Sequence, residues 1–188
     1  MNETKFMPFP ILHTPQLKLR QLTNDDRVAL FKLRNDESVS RFISRARQKD
    51  EKEAAGFIER INSDIAAGRL IFWAVCLNTD SSLIGSICLW NFSTDEKTAE
   101  LGYELLPEYQ AKGLMTEAVQ SVTNFGFSSC LLDTMEAYTH RDNQRSKKLL
   151  IKFGFELVPG KTDPDNLNNT IYILHNQPKP PDFGKPVS

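Results

Sequence analysis

A strand, a turn and the start of a helix meet in the segment running from Tyr103 through Gln110, Gly113 and Thr116 to Ala118. Pro107 breaks the strand, Gly113 supplies a tight turn, and Leu114, Ala118, Val122 and Phe125 then recur on one helical face. Free backbone N–H groups at a helix start, with the positive end of the helix dipole, make a seat for an anion such as a pyrophosphate. A nucleotide P-loop fits poorly, because Lys112 precedes Gly113 and the hydroxyl arrives only at Thr116, after Leu114 and Met115. A Rossmann fingerprint lacks its first two glycines. Just upstream, Glu100 and Glu104 share one face of the strand AELGYELL under period-two alternation, while Tyr103 and Leu105 share the other. A carboxylate facing a cleft there could accept a proton directly or through a water.

A second cluster follows the strand pattern TMEAYTH. Asn143 can cap a helix carrying Leu149, Leu150 and Phe153 and ending at Gly154, and Ser146 shares the face of Asn143. The chain offers less elsewhere. Cys76, Cys88 and Cys130 lie far apart in apolar stretches, which suits small buried hydrophobes in a reducing compartment. His13, His140 and His175 have no metal-like spacing, so no metal is expected. Trp73, Trp90 and Phe92 read as core or cleft wall.

The elements that must hold these residues are predicted in order. Leu17–Leu22 alternates as a strand, and Asn24-Asp25-Asp26 offers a cap for the helix VALFKLR. Ala54, Phe57, Ile58, Ile61 and Ile65 mark an amphipathic helix over 50–67, stopped by Gly68. LIFWAVCL, SLIGSICLWNF and AELGYELL form an antiparallel meander, with Gly85 marking a bulge or a close backbone approach. A final strand pair is expected around 155–158 and 170–175. The pattern predicts an α/β fold of one sheet covered by helices.

The 188 residues fit one domain over 1–176, followed by a proline-rich tail over 177–188 expected to be extended or disordered. Lys+Arg 23 against Asp+Glu 24 gives a net charge of -1 and no basic field for nucleic acid or a membrane surface. With no basic-then-apolar leader and no long apolar run, the sequence predicts a soluble cytoplasmic protein.

Read together, AELGYELLPEYQAKGLMTEAV and AYTHRDNQRSKKLLIKFGF resemble the GCN5-related N-acetyltransferase (GNAT) superfamily, with the nearest likeness to its ribosomal-protein N-terminal acetyltransferase branch. The resemblance spans roughly Leu17 to Leu174. The superfamily's loop pattern Q/R-x-x-G-x-G/A is met by Gln110, Ala111, Lys112, Gly113 and Leu114, with Met115 where Gly or Ala is usual. The resemblance implies a mostly antiparallel sheet splayed at the cofactor site, and acetyl-CoA as co-substrate. Gln110 to Thr116 would then hold the CoA pyrophosphate through backbone N–H groups. Leu105 and Leu106 would pair with the pantetheine, and a backbone N–H near them would stabilise the oxyanion. Asn143 would bond the cofactor near its pantetheine arm, and the Ser146 hydroxyl would point towards the thioester sulfur. Lys112, Arg145, Lys147 and Lys148 are natural partners for the CoA phosphates. Many members protonate the leaving thiolate with a Tyr whose matching position here is Leu150, so Ser146 is the substitute candidate, although a CoA thiolate can also leave without help.

In such an enzyme the acceptor must attack as a free amine, and the resemblance favours Glu100 over Glu104 as its base. An α-amine titrates at about 7.7–8.0 and a lysine amine near 10.4, a difference of roughly 3.4 kcal/mol in the cost of deprotonation. Lacking an unambiguous base and the usual Tyr, the sequence leans to the N-terminal α-amine of a protein or peptide. A small amine such as a polyamine or antibiotic is the alternative acceptor, and a non-catalytic acyl-CoA-binding module the alternative class. Arg41, Arg45, Arg47 and Lys49 lie where the superfamily shapes acceptor choice, either meeting an acidic acceptor or forming a polar loop. A monomer or a homodimer is expected.

Overall fold

The computed structural model describes residues 5–176. The expected tail at 177–188 lies outside the described residues. One eight-stranded sheet runs in the order β1-β2-β3-β4-β5-β6-β8-β7. Its strands are β1 (Leu12–His13), β2 (Leu17–Arg20), β3 (Ile71–Leu77), β4 (Asp80–Trp90), β5 (Thr98–Leu105), β6 (Thr134–His140), β7 (Glu156–Leu157) and β8 (Asn169–His175). Every neighbouring pair is antiparallel except β5 and β6. Helices α1 (Arg27–Asn35), α2 (Glu37–Ser40), α3 (Glu51–Ala66), α4 (Leu114–Ser128) and α5 (Gln144–Lys152) complete the chain.

Strand alternation decides which helix covers which face. Phe72 points to α3, where its ring meets Phe57 edge-on at 5.9 Å, and its neighbour Trp73 points to α4, where it meets Phe125 at 5.4 Å. Trp73 is fully buried and its indole N–H donates to the Pro10 carbonyl at 2.7 Å, so it belongs to the core. All five apolar positions predicted to line α3 are buried, and Asp50 caps it through the Glu53 N–H at 2.9 Å. The cap expected at Asn24–Asp26 is different. These residues form a 3-10 turn, and buried Asp26 instead takes a two-pronged contact from Arg20 at 2.7 and 2.8 Å and the Thr23 N–H at 2.8 Å.

At Gly85 the backbone of β4 comes close to β5. A Cβ there would lie 2.5 Å from the Glu104 carbonyl oxygen and 2.7 Å from a Leu105 methyl, with backbone on one side that cannot step aside. Gly85→Ala is therefore expected to lower stability by about 1–3 kcal/mol, as overpacking does. It should also push β5 towards the site, which thermal melts and acetyl-CoA titration of the same variant would show.

Candidate active site

Strands β5 and β6 run together for three residue pairs, Thr98 with Thr134, Ala99 with Met135 and Glu100 with Glu136. Beyond Glu100 the pairing ends, although β5 continues to Leu105 and β6 to His140, so the sheet opens into a slot between them. Cavities of about 210 Å³ beneath the N-terminal segment and about 390 Å³ beside His13–Pro15 lie away from this slot.

The far edge of β5 is free to pair with a ligand. The Leu106 N–H donates to the Ile84 carbonyl at 2.9 Å, which makes that a hydrogen-bonded pair of the β4–β5 ladder. Alternation then turns the N–H and C=O of Leu105 and Tyr103 away from β4, towards the slot. Leu106 is thus a correction to the expected pantetheine contacts. Its N–H donates to Ile84 and its C=O accepts from the Tyr109 N–H at 3.0 Å, leaving no free N–H for a cofactor or an oxyanion. The Leu105 N–H has no partner among the described residues, while its carbonyl accepts from Gln110 Nε2 at 2.8 Å.

The turn after β5 has the backbone geometry that an anion seat requires. Ala111 and Gly113 both adopt positive φ, 60° and 80°, and Gly113 caps α4 from the left-handed region. Among the described residues, the backbone N–H groups from Ala111 to Thr116 donate to no carbonyl or side chain; the first bond of α4 runs from the Glu117 N–H to the Gly113 carbonyl at 3.2 Å. A run of unpaired donors at a helix start fits a diphosphate. Gln110 differs from the rest of the loop. Its N–H bonds the Pro107 carbonyl, and its side chain ties Leu105 to Arg145 Nη1, which donates to Oε1 at 2.6 Å. Gln110 and Arg145 therefore hold the turn's shape. Lys112, Lys147 and Lys148 carry no ion pair among the described residues, and the Lys112 ammonium stands 5.6 Å from the Tyr109 ring.

On the α4–α5 face of the slot, Asn143 Oδ1 accepts from the Ser146 N–H at 3.2 Å and so caps α5. The Ser146 hydroxyl lies 2.9 Å from the Tyr103 hydroxyl. Burial pushes the Tyr103 phenol up to about 12, against the opposing bond from Ser146, so it holds its proton at neutral pH. Leu150, where the superfamily's Tyr is usual, is fully buried. A phenol is nevertheless present, supplied from β5 rather than α5. Alternation had put Tyr103 on the face opposite the glutamates, but nothing local in the sequence signalled its pairing with Ser146.

The two carboxylates on the α1–α3 face differ sharply. Burial pushes the Glu100 carboxyl up to about 7, against the opposing hydrogen bond from Asn91, with smaller upward contributions from Asp163 and Glu136. Glu104 is buried and paired. Arg45 Nη1 stands 2.7 Å from its Oε2, and the Ser86 hydroxyl donates to Oε1 at 3.2 Å. Of the expected basic cluster only Arg45 reaches the sheet; Arg41, Arg47 and Lys49 are exposed. Trp90 is 44% exposed beside Glu100, which fits the wall of an open site. The thiols of Cys76, Cys88 and Cys130 are pushed up to about 11, 12 and 11 by burial, which leaves no thiolate nucleophile among them.

A mostly antiparallel sheet that opens between its one parallel pair, beside a helix-start anion seat, defines an acyl-CoA N-acyltransferase fold. Comparison with known proteins agrees. Residues 16–156 match the family described as acetyltransferase (GNAT) domain. Uncharacterized N-acetyltransferase YoaA of Bacillus subtilis is 32% identical over 148 residues, 79% of this chain and 84% of that protein. Ribosomal-protein-S5-alanine acetyltransferase from Vibrio fischeri has a similar fold, with a TM-score of 0.78 at 18% identity, covering 91% of this chain and 100% of that one. Microcin C7 self immunity acetyltransferase MccE, solved in complex with acetyl-CoA and AMP, superposes with a TM-score of 0.77 at 19% identity, covering 93% and 100%. The chain belongs to the GNAT acetyltransferase family and is an acetyl-CoA-dependent N-acetyltransferase.

Proposed function

We propose that the acceptor is the N-terminal α-amine of a protein or peptide, acetylated by direct attack while both substrates are bound. The observation that carries this reading is Glu100, a carboxyl beside the slot titrating at about 7. A base poised near the working pH is available to an α-amine, which at about 7.7–8.0 is already partly deprotonated there, whereas a lysine or polyamine amine near 10.4 stays almost wholly protonated. The other acidic groups of this face are already engaged. Lys161 Nζ lies 2.7 Å from Glu136 Oε1, Tyr138 donates to Glu136 Oε2 at 2.9 Å, and Asn169 Nδ2 donates to Asp163 at 2.8 Å. That leaves little unpaired negative charge for a polycation.

Acetyl-CoA supplies the acyl group as a thioester. The N–H groups from Ala111 to Thr116 would hold its diphosphate, with Lys112 and Lys147 adding charge. The Tyr103 peptide edge would position its arm, and the side-chain amide of Asn143, whose oxygen caps α5, would add a donor from Nδ2. Glu100 takes the proton lost by the amine, and the Leu105 N–H steadies the negative oxygen that develops on attack. From the opposite face, the Ser146 hydroxyl, backed by the protonated Tyr103 phenol, delivers a proton to the departing sulfur. Glu104, held by Arg45, is the second carboxylate and shapes the acceptor wall.

Tyr103→Phe and Ser146→Ala are each expected to lower kcat by about tenfold while leaving KM for acetyl-CoA within twofold, because the thiolate still leaves unaided. Equal turnover in Ser146→Ala and the parent protein would remove Ser146 from the mechanism. The acceptor reading is tested by following CoA release with short peptides bearing free N-termini, against spermidine and an aminoglycoside. Turnover with peptides and none with the other two supports it, whereas the reverse pattern refutes it.

A further inference from the structure

Four of the five buried side-chain polar atoms without a hydrogen-bond partner among the described residues lie on one stretch of the acceptor face. They are Arg34 Nε, Arg45 Nε, Gln48 Oε1 and Glu104 Oε2. Buried polar atoms are rarely left without partners, so such a group calls for a missing water or ligand. Glu104 Oε2 is close to Arg45 Nη1, yet the contact lacks the alignment of a hydrogen bond, which makes it an ion pair of poor geometry. Arg34 is more exceptional. Its guanidinium carbon stands 4.0 Å from the Phe57 ring centre, and among the described residues its side chain donates no hydrogen bond and joins no ion pair. Burial and the nearby Arg45 pull it down to about 10, far below an ordinary guanidinium.

The charge balance gives the sign of what is missing. Arg34, Arg45 and Arg60 gather around Phe57 and Glu104, three cations to one carboxylate. Arg45 is also anchored, its Nη2 donating to the Arg34 backbone carbonyl at 3.3 Å, and its charge is close enough to act on the Arg34 guanidinium. A flat, stacked guanidinium with idle donors beside a second one matches the fork geometry of a carboxylate. The co-substrate's diphosphate has its own seat at Ala111–Thr116, on the other face of the sheet. We propose that Arg34 and Arg45 bind a carboxylate carried by the acceptor, so that the enzyme selects peptides with an acidic residue close behind the N-terminal amine. This rests on the α-amine reading above.

The test uses pairs of peptides identical except for Asp against Asn at the second or third residue. The parent protein is expected to favour the Asp peptide by at least about tenfold in kcat/KM, with the ratio shrinking as salt rises. In Arg34→Gln the ratio should fall to about one, and in Arg34→Lys, which keeps the charge but loses the fork, to an intermediate value. Affinity for acetyl-CoA, measured by calorimetry on both variants, should stay within twofold of the parent and reports that each is folded. Equal rates for both peptides with the parent protein overturn the proposal while leaving the α-amine reading intact. A preference that survives Arg34→Gln, or a loss of acetyl-CoA affinity in its place, overturns the assignment of these arginines. Acetylation of neither peptide overturns both readings together.

Discussion

Glu100→Gln is expected to lower kcat/KM for a peptide acceptor by about 10²–10⁴-fold, the range removed with a general base. The pH profile separates this from a structural effect. In the parent enzyme the rate should rise with pH through about 7 as Glu100 loses its proton, whereas the variant should keep only the rise set by the amine itself near about 8. Glu104→Gln should cost less and leave the limb near 7 in place, because Glu104 is already paired with Arg45. Stability should move the other way from activity. The folded state holds the Glu100 proton up to about 7, while the unfolded chain releases it near about 4.3. Between those values the native state binds more protons, so the parent protein loses stability as pH rises across the window. Glu100→Gln has no charge to bury. Its Tm should match the parent at pH values below that window and exceed it above, and a Tm that is unchanged throughout would contradict the buried-carboxylate account.

Gly113→Val is the second large effect. Gly113 sits at φ 80° with no atom within 4 Å of where its Cβ would be, so a side chain there meets backbone strain without any clash. Holding an L-residue in the left-handed region costs roughly 1–2 kcal/mol, and relieving it turns the free N–H groups off the diphosphate. Acetyl-CoA affinity should fall by at least about tenfold. Gly113→Asn, which tolerates that conformation, should lose much less. Equal losses in the two variants would show that the effect is not conformational.

The sheet and its covering helices were legible because their signals are local. Ala54, Phe57, Ile58, Ile61 and Ile65 keep helical spacing in α3, the meander strands carry apolar runs between polar turns, and Gly85 does mark a close approach. Elements of two residues, such as β1, are too short to show a period. The site was partly legible. The turn at Gly113 and the cap at Asn143 follow from residue types over a few positions, and the structure builds both. What escaped was set by distant partners. Asp26 looked like a cap but is taken by Arg20, and Leu106 looked free but bonds Ile84 and Tyr109. Tyr103 meets Ser146 from 43 positions away, across the slot. Glu100 and Glu104 share strand, face and residue type, and their surroundings divide their roles: burial, with Asp163 and Glu136 adding to it, raises Glu100, whereas Arg45 and Ser86 hold Glu104.

The most direct test of the account places both kinds of amine in one molecule. A short peptide with a free N-terminus, an acidic second residue and an internal lysine would be incubated with the enzyme and acetyl-CoA, and the acetylated position located by fragmentation mass spectrometry. The account predicts a single acetyl group on the N-terminal nitrogen, appearing faster as pH rises through about 7. Acetylation of the lysine side chain, or CoA release with no acetyl on the peptide, would contradict it.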